Sequence, residues 1–226
     1  MTVEAYCKSV ENRKRLQQES LGSMRIADDN TPLVDLKASG LDLVFGPLVR
    51  PTDPCWVREA LIVKLQRICK YLSYENQKLV ICAGWRSAEQ QQSVRQRMLD
   101  EAIASQPGTP TNAQREILAS FVAAETESMH LTGGAIDALI FDSETNQVLN
   151  FGSNDGFTIE ISEACYPYHP DTNAAARYNR NLLINAFEQE DFVVAITKFW
   201  HFDYGNANWA VARGKSEAIY GITSAQ

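Results

Sequence analysis

The sequence predicts an α+β fold in which helices pack on a small, mainly antiparallel sheet. Several stretches repeat apolar residues every three or four positions, and short apolar runs stop at Gly, Pro or Asn. No internal repeat, linker or low-complexity tract is present, which predicts one domain over residues 1–226 with residues 1–25 as a helical extension. With 226 residues, 45% of them hydrophobic, the chain can bury a core without a disulfide or a metal. A metal would therefore serve function.

Periodicity and capping residues predict two helices in the N-terminal part. Residues 4–20 are polar and weakly periodic, which favours a surface helix or an extension. Asp53 as a cap and Pro54 as the first helical residue predict the second helix. Its core-facing positions are Val57, Leu61, Leu65, Ile68 and Leu72.

Three further helices follow. Ser87 and Gln90 have the spacing of a capping box and begin a helix that runs to about residue 105. A helical run covers about 112–126, after a loop at 106–111. The last helix extends from a cap at Thr172 to about residue 190.

Short apolar runs predict the strands. Residues 22–52 are rich in Gly, Pro and Asp and contain short runs such as 41–45. The clearer strands are Leu79–Ala83, Ala135–Phe141, Phe192–Ile196, Phe199–Tyr204 and Asn208–Ala212. The last two are predicted to form a hairpin through Gly205 and Asn206.

The net charge and the cysteine content indicate which binding partners and which cellular compartment to expect. The net charge of −7 comes without any basic stripe, which argues against nucleic acid or an anionic membrane as a partner and favours a small molecule or peptide. The N-terminus lacks the apolar run of a signal peptide, and no stretch reaches the roughly 18 apolar residues of a membrane span. Five cysteines without a Cys-x-x-Cys pair fit thiols in a reducing cytosol, so we expect a cytoplasmic protein.

Two of the three histidines stand near residues that could bind a metal with them. His130 precedes a Gly-Gly turn that leads into a strand bearing Asp137, and His201 lies in an aromatic strand. Two imidazoles and a carboxylate leave one position of a tetrahedral zinc ion open, although copper or iron could use the same ligands. The alternative is that both histidines are packed in the core without a metal. His169, between two prolines, is expected to be exposed or lightly packed.

Arg86 lies between the end of a predicted strand and the capped start of a helix. An arginine there can bind a carboxylate or a developing oxyanion through parallel hydrogen bonds. The alternative is a surface arginine that pairs with Glu89 or with a helix end.

Three segments together resemble one family. They are Ser128-x-His130-x-x-Gly133-x-Ala135-x-Asp137, then Trp200-His201-Phe202, and Ala83-Gly84-Trp85-Arg86-Ser87. This combination resembles the zinc D,D-peptidases of the VanX type, the D-alanyl-D-alanine dipeptidases. The resemblance extends over about residues 30–222 and implies the zinc D,D-peptidase (VanX/hedgehog-like) fold.

The resemblance implies a role for each matching residue. His130, Asp137 and His201 would bind one zinc ion, and Arg86 would stabilise the tetrahedral intermediate of peptide hydrolysis. Ser128 would line the substrate pocket or help to orient the metal ligands. Asp155 lies about one residue out of register with an aspartate that binds the substrate's amino group. The implied substrate is a short peptide such as D-Ala-D-Ala.

One residue departs from the family pattern. The last motif of the family is Glu-x-Trp-His, in which the glutamate is the general base, and this chain has Lys198 at that position. A protonated ammonium cannot accept a proton, so another carboxylate would have to serve as base, or Lys198 would need a lowered pKa. The candidate carboxylates are Glu160, Glu163 and Asp203. The sequence thus predicts either a zinc dipeptidase or a relative that binds zinc and a peptide carboxylate without turnover.

Overall fold

A mainly antiparallel sheet of six strands forms the centre of the computed structural model, as the sequence predicts. The structure describes residues 2–105, 112, 121–124, 126–159 and 161–225. The predicted loop at 106–111 and most of the predicted helical run at 112–126 lie outside the described residues. The strands are β1 (Arg25–Ile26), β2 (Leu33–Asp35), β3 (Leu43–Phe45), β4 (Trp56–Arg58), β5 (Gln77–Ala83), β6 (Ala135–Asp142), β7 (Gln147–Val148), β8 (Asn154–Asp155), β9 (Thr158–Ile159), β10 (Val193–Ala195), β11 (Lys198–Asp203) and β12 (Glu217–Ala218).

The central sheet has the strand order β10-β11-β6-β5-β3, and β7 pairs with β6. All of its neighbours are antiparallel except β3 and β5, which are parallel. Strand β6 is buried along most of its length because strands lie on both sides of it and helices cover the sheet. The predicted strands at 79–83, 135–141, 192–196 and 199–204 are confirmed with shifts of one or two residues at their ends.

The helices surround this sheet. They are α1 (Val3–Leu21), α2 (Leu61–Ser73), α3 (Ala88–Ser105), α4 (Ala174–Glu188) and α5 (Ala207–Ala212). The α2 side chains Leu61, Leu65, Ile68 and Leu72 are buried, which confirms four of the five predicted core-facing positions. The fifth, Val57, is buried on a strand instead. The capping box of α3 is confirmed too, since the Ser87 N–H donates to Gln90 and the Gln90 N–H donates to Ser87.

The prediction that α2 starts at Asp53 and Pro54 is wrong. Strand β4 precedes the helix, and it pairs with β2 in the register Val34 to Val57. The Cys55 N–H donates to the Asp35 carboxylate 2.8 Å away and anchors the start of this strand. This pairing joins segments that are far apart in the chain, so the local periodicity could not reveal it.

The predicted strand at 208–212 is also wrong, and with it the hairpin through Gly205 and Asn206. This segment is helix α5, and the Asn206 side chain caps it by accepting the Trp209 N–H at 3.1 Å. A run of a few apolar residues fits a strand or a buried helix equally well. The last long helix, α4, is capped by Asn173 rather than by Thr172.

The N-terminal segment packs on the rest of the chain. Helix α1 buries Tyr6, Cys7 and Val10, and β1 pairs with β12 near the C-terminus. His169 packs against this helix, edge-on to the ring of Tyr6, and is only 9% exposed. The expectation of an exposed or lightly packed His169 is therefore corrected: the ring is part of the contact that holds α1.

Candidate metal centre

Strand pairing and a tight turn bring two histidines and an aspartate together. His201 on β11 and Asp137 on β6 are direct cross-strand partners in an antiparallel pair, so their side chains share one face of the sheet. His130 lies in the 3-10 turn Met129–Thr132 that leads into β6. Of the predicted site residues, these three form a group that could hold a metal ion, with their ligand atoms within 4.8 Å of one another.

Two glycines make this turn possible. Gly133 has a φ of 73°, in the left-handed region that favours glycine, and a Cβ there would overlap the side chain of Leu33. A Cβ on Gly134 would overlap the backbone oxygen of Tyr204, which directly follows the neighbouring strand β11. The Gly-Gly pair therefore allows the His130 turn to lie directly against the sheet.

Arg58 holds the same turn from outside. Its side chain is buried and donates to the carbonyl oxygen of Thr132 at 2.7 Å and to the Asp28 carboxylate at 2.9 Å. Its backbone N–H donates to the Gly133 carbonyl at 3.0 Å. The β4 strand, which the sequence analysis missed, thereby positions the turn that carries His130.

Both histidines direct one ring nitrogen at Asp137. His130 Nε2 lies 3.2 Å from Asp137 Oδ2, and His201 Nδ1 lies 2.8 Å from Asp137 Oδ1. The other nitrogen of each ring has its own partner. His130 Nδ1 lies 2.7 Å from the Gly84 carbonyl, to which it can only donate, and His201 Nε2 lies 3.3 Å from Asp203 Oδ1. These outer partners fix each ring so that the nitrogen facing Asp137 can offer a lone pair.

Asp203 belongs to a buried polar network. Its carboxylate accepts hydrogen bonds from Asn206 at 2.6 Å and from Asn208 at 3.1 Å. Asn206 is the residue that caps α5, so this helix is tied to the His201 ring through Asp203. From the sequence, Asp203 was a candidate only for the general base. The signal for its positioning role was its place two residues after His201, on the same face of the strand.

The electrostatics favour the metal-binding protonation states of His130 and Asp137, but not of His201. Burial, with help from Arg86 and His201, lowers the pKa of His130 to about 4, so this ring is neutral at pH 7. Burial raises the pKa of Asp137, but the two histidines outweigh it and hold that pKa well below its usual range. The pKa of His201 is raised: burial and Lys198 lower it, and the Asp203 and Asp137 carboxylates more than compensate.

Arg86 lies beside this group. Its Nη2 donates to Asp137 Oδ2 at 3.1 Å and its Nη1 to Gln91 Oε1 at 3.2 Å. Gln91 is buried and donates in turn to the carbonyl of Ala123 at 3.0 Å, so it holds the guanidinium in place. The alternative of a surface arginine paired with Glu89 is wrong, because Arg86 is largely buried and faces the candidate ligands. Gln91 was not foreseen from the sequence.

A cleft of about 340 Å³ opens onto the group, and most predicted site residues line it. Besides the three candidate ligands, the lining includes Arg86, Ser128 and Lys198. Asp155 is exposed in the small β8–β9 hairpin and is not among the residues described as lining this cleft. Its role in binding a substrate amino group remains a prediction without support from the geometry.

Lys198 begins β11 and is half-buried in the cleft wall. Burial lowers its pKa, although the carboxylates of Asp137 and Asp203 act in the opposite direction. Of the candidate replacement bases, Asp203 is engaged with His201 and two asparagines. Glu163 faces the Cys7 thiol on α1, and Glu160 lies outside the described residues.

The sequence agrees with one family over most of its length. The model of the peptidase family M15, described as D-ala-D-ala dipeptidase, matches residues 34–218. The chain belongs to this family. A D-alanyl-D-alanine dipeptidase of Escherichia coli (strain K12) is 25% identical over 174 residues, which is 77% of this chain and 79% of the relative.

Solved structures give weaker likenesses. A mutant of the vancomycin resistance D,D-pentapeptidase VanY from the VanB-type resistance cassette, in complex with Zn(II), is 15% identical with a TM-score of 0.47. It aligns with 85% of this chain, and the alignment covers 95% of that chain. VanYB in complex with D-Alanine-D-Alanine gives the same identity and TM-score, over 85% of this chain and 93% of that chain.

Membership in family M15 confirms the predicted resemblance and the predicted α+β fold. The predicted activity class, a metallopeptidase for D-alanine-containing peptides, agrees with the family. Among the described residues, no helix of this M15 chain is long and apolar enough to cross a membrane. The cytoplasmic location and the lack of a nucleic-acid partner remain predictions.

Proposed function

We propose that this M15 chain is a zinc-dependent peptidase that hydrolyses a short peptide containing D-amino acids, such as D-alanyl-D-alanine. The observation that carries the proposal is the group His130, Asp137 and His201, with its ring nitrogens oriented by Gly84 and Asp203 inside a cleft. Histidines that were merely packed in the core would have no reason to face the same carboxylate, as His130 and His201 both do.

The donor set fits zinc. Two neutral imidazole nitrogens and one carboxylate are the ligands of many catalytic zinc sites, and both rings have an outer acceptor that fixes their orientation. A buried, ionised Asp137 supplies negative charge for a cation. Zinc, when bound, supplies a Lewis acid that polarises a carbonyl and makes water a nucleophile at neutral pH.

The chain's own residues would bind and orient the peptide around this centre. Arg86 carries a fixed cation next to Asp137, where it can donate to the oxygen of a carbonyl that becomes negative during hydrolysis. Gln91 keeps the guanidinium from turning away. Ser128 is buried and lines the cleft, where it would contact the substrate.

A second candidate function follows from Lys198. A positioned general base contributes about 10²–10⁴-fold to the rate of such reactions, and an ammonium cannot act as one. In the second candidate the cleft binds zinc and captures a peptide carboxylate through Arg86 and Lys198, without turnover. Under the first candidate we expect hydrolysis that is slow for the family.

The test is the release of D-alanine from D-alanyl-D-alanine by the zinc-loaded chain. Wild type is compared with Arg86→Ala and with the matched control Arg97→Ala, because Arg97 also lines the cleft but pairs with Glu101 at 3.7 Å. We expect Arg86→Ala to lose about 10²–10³-fold in rate and Arg97→Ala to lose little. No release by wild type, together with dipeptide binding that Arg86→Ala weakens, would replace the first candidate by the second.

A further inference from the structure

The cleft that holds the candidate metal ligands has an apolar side. Its apolar wall, as we call it, comes from three parts of the chain. The wall consists of Val94 and Met98 on α3, Phe121 and Val122, and Phe157 and Ile161 beyond β8. The wall and the candidate metal ligands belong to the same continuous cavity.

The volume of the cavity also favours a ligand larger than a pair of alanines. At about 340 Å³ it lies in the range of cavities that enclose ligands of drug size, roughly 300–1,000 Å³. D-Alanyl-D-alanine offers only its two methyl side chains to this wall. Apolar surface that stays wet contributes nothing to binding, whereas each methylene that covers it strengthens binding.

Glu127 and Lys198 also line the cleft, but other charged residues of the lining are already paired. Arg97 and Glu101, one turn apart on α3, pair with each other, and Arg86 is engaged by Asp137 and Gln91. The wall residues themselves are aliphatic, aromatic or thioether. A substrate side chain that lies there gains from apolar area rather than from an ion pair.

We propose that the substrate carries a large apolar side chain, of leucine size or larger, on at least one residue, and that this side chain packs on the apolar wall. The inference rests on the proposed function, because it names the substrate class of the same cleft. One methylene in an apolar pocket is worth about 10–200-fold in specificity. A leucine in place of an alanine should therefore bind at least about 10-fold more tightly.

The experiment measures binding and hydrolysis separately. Calorimetry with the zinc-loaded chain gives the Kd of D-Ala-D-Ala, D-Ala-D-Leu, D-Leu-D-Ala and an all-alanine D-tripeptide, and release of the free amino acid gives the rate. Val94→Phe fills space at the wall. Val63→Phe is the matched control, because Val63 is an exposed helix residue on α2 that does not line the cleft.

We expect a leucine-containing dipeptide to bind at least about 10-fold more tightly than D-Ala-D-Ala, Val94→Phe to abolish this preference, and Val63→Phe to retain it. Equal or tighter binding of D-Ala-D-Ala, or a preference for the alanine tripeptide, would overturn the inference. So would a failure to bind any of these peptides. The wild-type comparison decides the point even if Val94→Phe does not fold.

The outcomes separate the inference from the proposed function. Hydrolysis of D-Ala-D-Ala without a preference for leucine contradicts the inference and leaves the peptidase intact. A leucine preference in binding without any hydrolysis supports the inference and contradicts the peptidase.

Discussion

Asp137 and His201 are cross-strand partners, and Asp137 Oδ1 lies 2.8 Å from His201 Nδ1. The pairing of β11 with β6 fixes the positions of His201 and Asp137 relative to each other. The turn before β6 adds His130, the third candidate ligand. Because sheet pairing fixes the spacing, the site does not depend on a mobile loop for its geometry.

Asp203 should control metal affinity without being a ligand. Asp203→Asn keeps the size of the side chain but weakens the acceptor that orients His201. We expect zinc affinity to fall by about 10–100-fold, as measured by competition with a chromogenic chelator. The control is Asp142→Asn, which changes a less buried aspartate at the far end of β6. Equal zinc affinity in Asp203→Asn and wild type would show that His201 is oriented by other contacts.

Lys198→Glu should restore the missing base. We expect the rate of D-alanine release to rise by about 10²–10⁴-fold, since the cleft then has a carboxylate where the family has its glutamate. Lys70→Glu, an exposed charge reversal on α2, is the control and should leave the rate unchanged. If Lys198→Glu gives no gain although zinc still binds, the remainder of the cleft has also lost the geometry of a peptidase.

Gly133→Ala should disturb the His130 turn. The substitution combines a left-handed backbone with an overlap against Leu33, whereas Gly40→Ala meets the same backbone strain at a φ of 74° with open space around it. We expect Gly40→Ala to lower the free energy of unfolding by about 1–2 kcal/mol and Gly133→Ala to lower it further. Urea denaturation measures both, and zinc binding should weaken in Gly133→Ala alone. A similar decrease in the free energy of unfolding for the two variants would mean that Leu33 can move away from the new methyl group without cost.

The Arg58–Asp28 pair should make stability depend on pH. Burial raises the pKa of Asp28, but hydrogen bonds from Asn30, Arg58 and Gly221 outweigh it, and the net pKa is lowered. A carboxyl whose folded pKa lies below its unfolded value of 3.8 contributes stability above that value, and this contribution is lost as pH falls through the folded pKa.

Asp28→Asn should therefore cost about 1–3 kcal/mol at pH 7, and less as the pH falls below about 4. Urea denaturation at pH 7 and below about pH 4 measures the free energy of unfolding of Asp28→Asn relative to wild type. Asp42→Asn is the control, since Asp42 is exposed where it pairs with Lys78, and we expect it to cost less than about 1 kcal/mol. A cost of Asp28→Asn that does not change with pH would contradict this account.

Local patterns in the sequence were sufficient where neighbours along the chain determine the structure. The spacing of Leu61, Leu65, Ile68 and Leu72 predicted the buried face of α2, and the capping box predicted the start of α3. The motif residues His130, Asp137 and His201 predicted which side chains converge. Local patterns failed where distant segments meet: β4 pairs with β2, and that pairing moved the start of α2 from Asp53 to Leu61.

The residues that hold the site's side chains in place could not be predicted from the sequence, because they act through contacts between distant segments. Gln91 holds Arg86 only because its helix packs beside the carbonyl of Ala123. Arg58 acts on the His130 turn across a long separation in the chain. In the sequence, Asn206 next to Gly205 is typical of a turn. Its role as the cap of α5, and as a donor to Asp203, depends on the helix that follows it.

Zinc stoichiometry tests the central claim most directly. The chain is loaded with zinc, dialysed, and assayed for bound metal by atomic absorption, next to His130→Ala and His201→Ala and the buried control His169→Ala. The account predicts about one zinc ion per chain in wild type and His169→Ala, and strong loss in the other two variants. Wild type without bound zinc, or full occupancy in His130→Ala and His201→Ala, would contradict it.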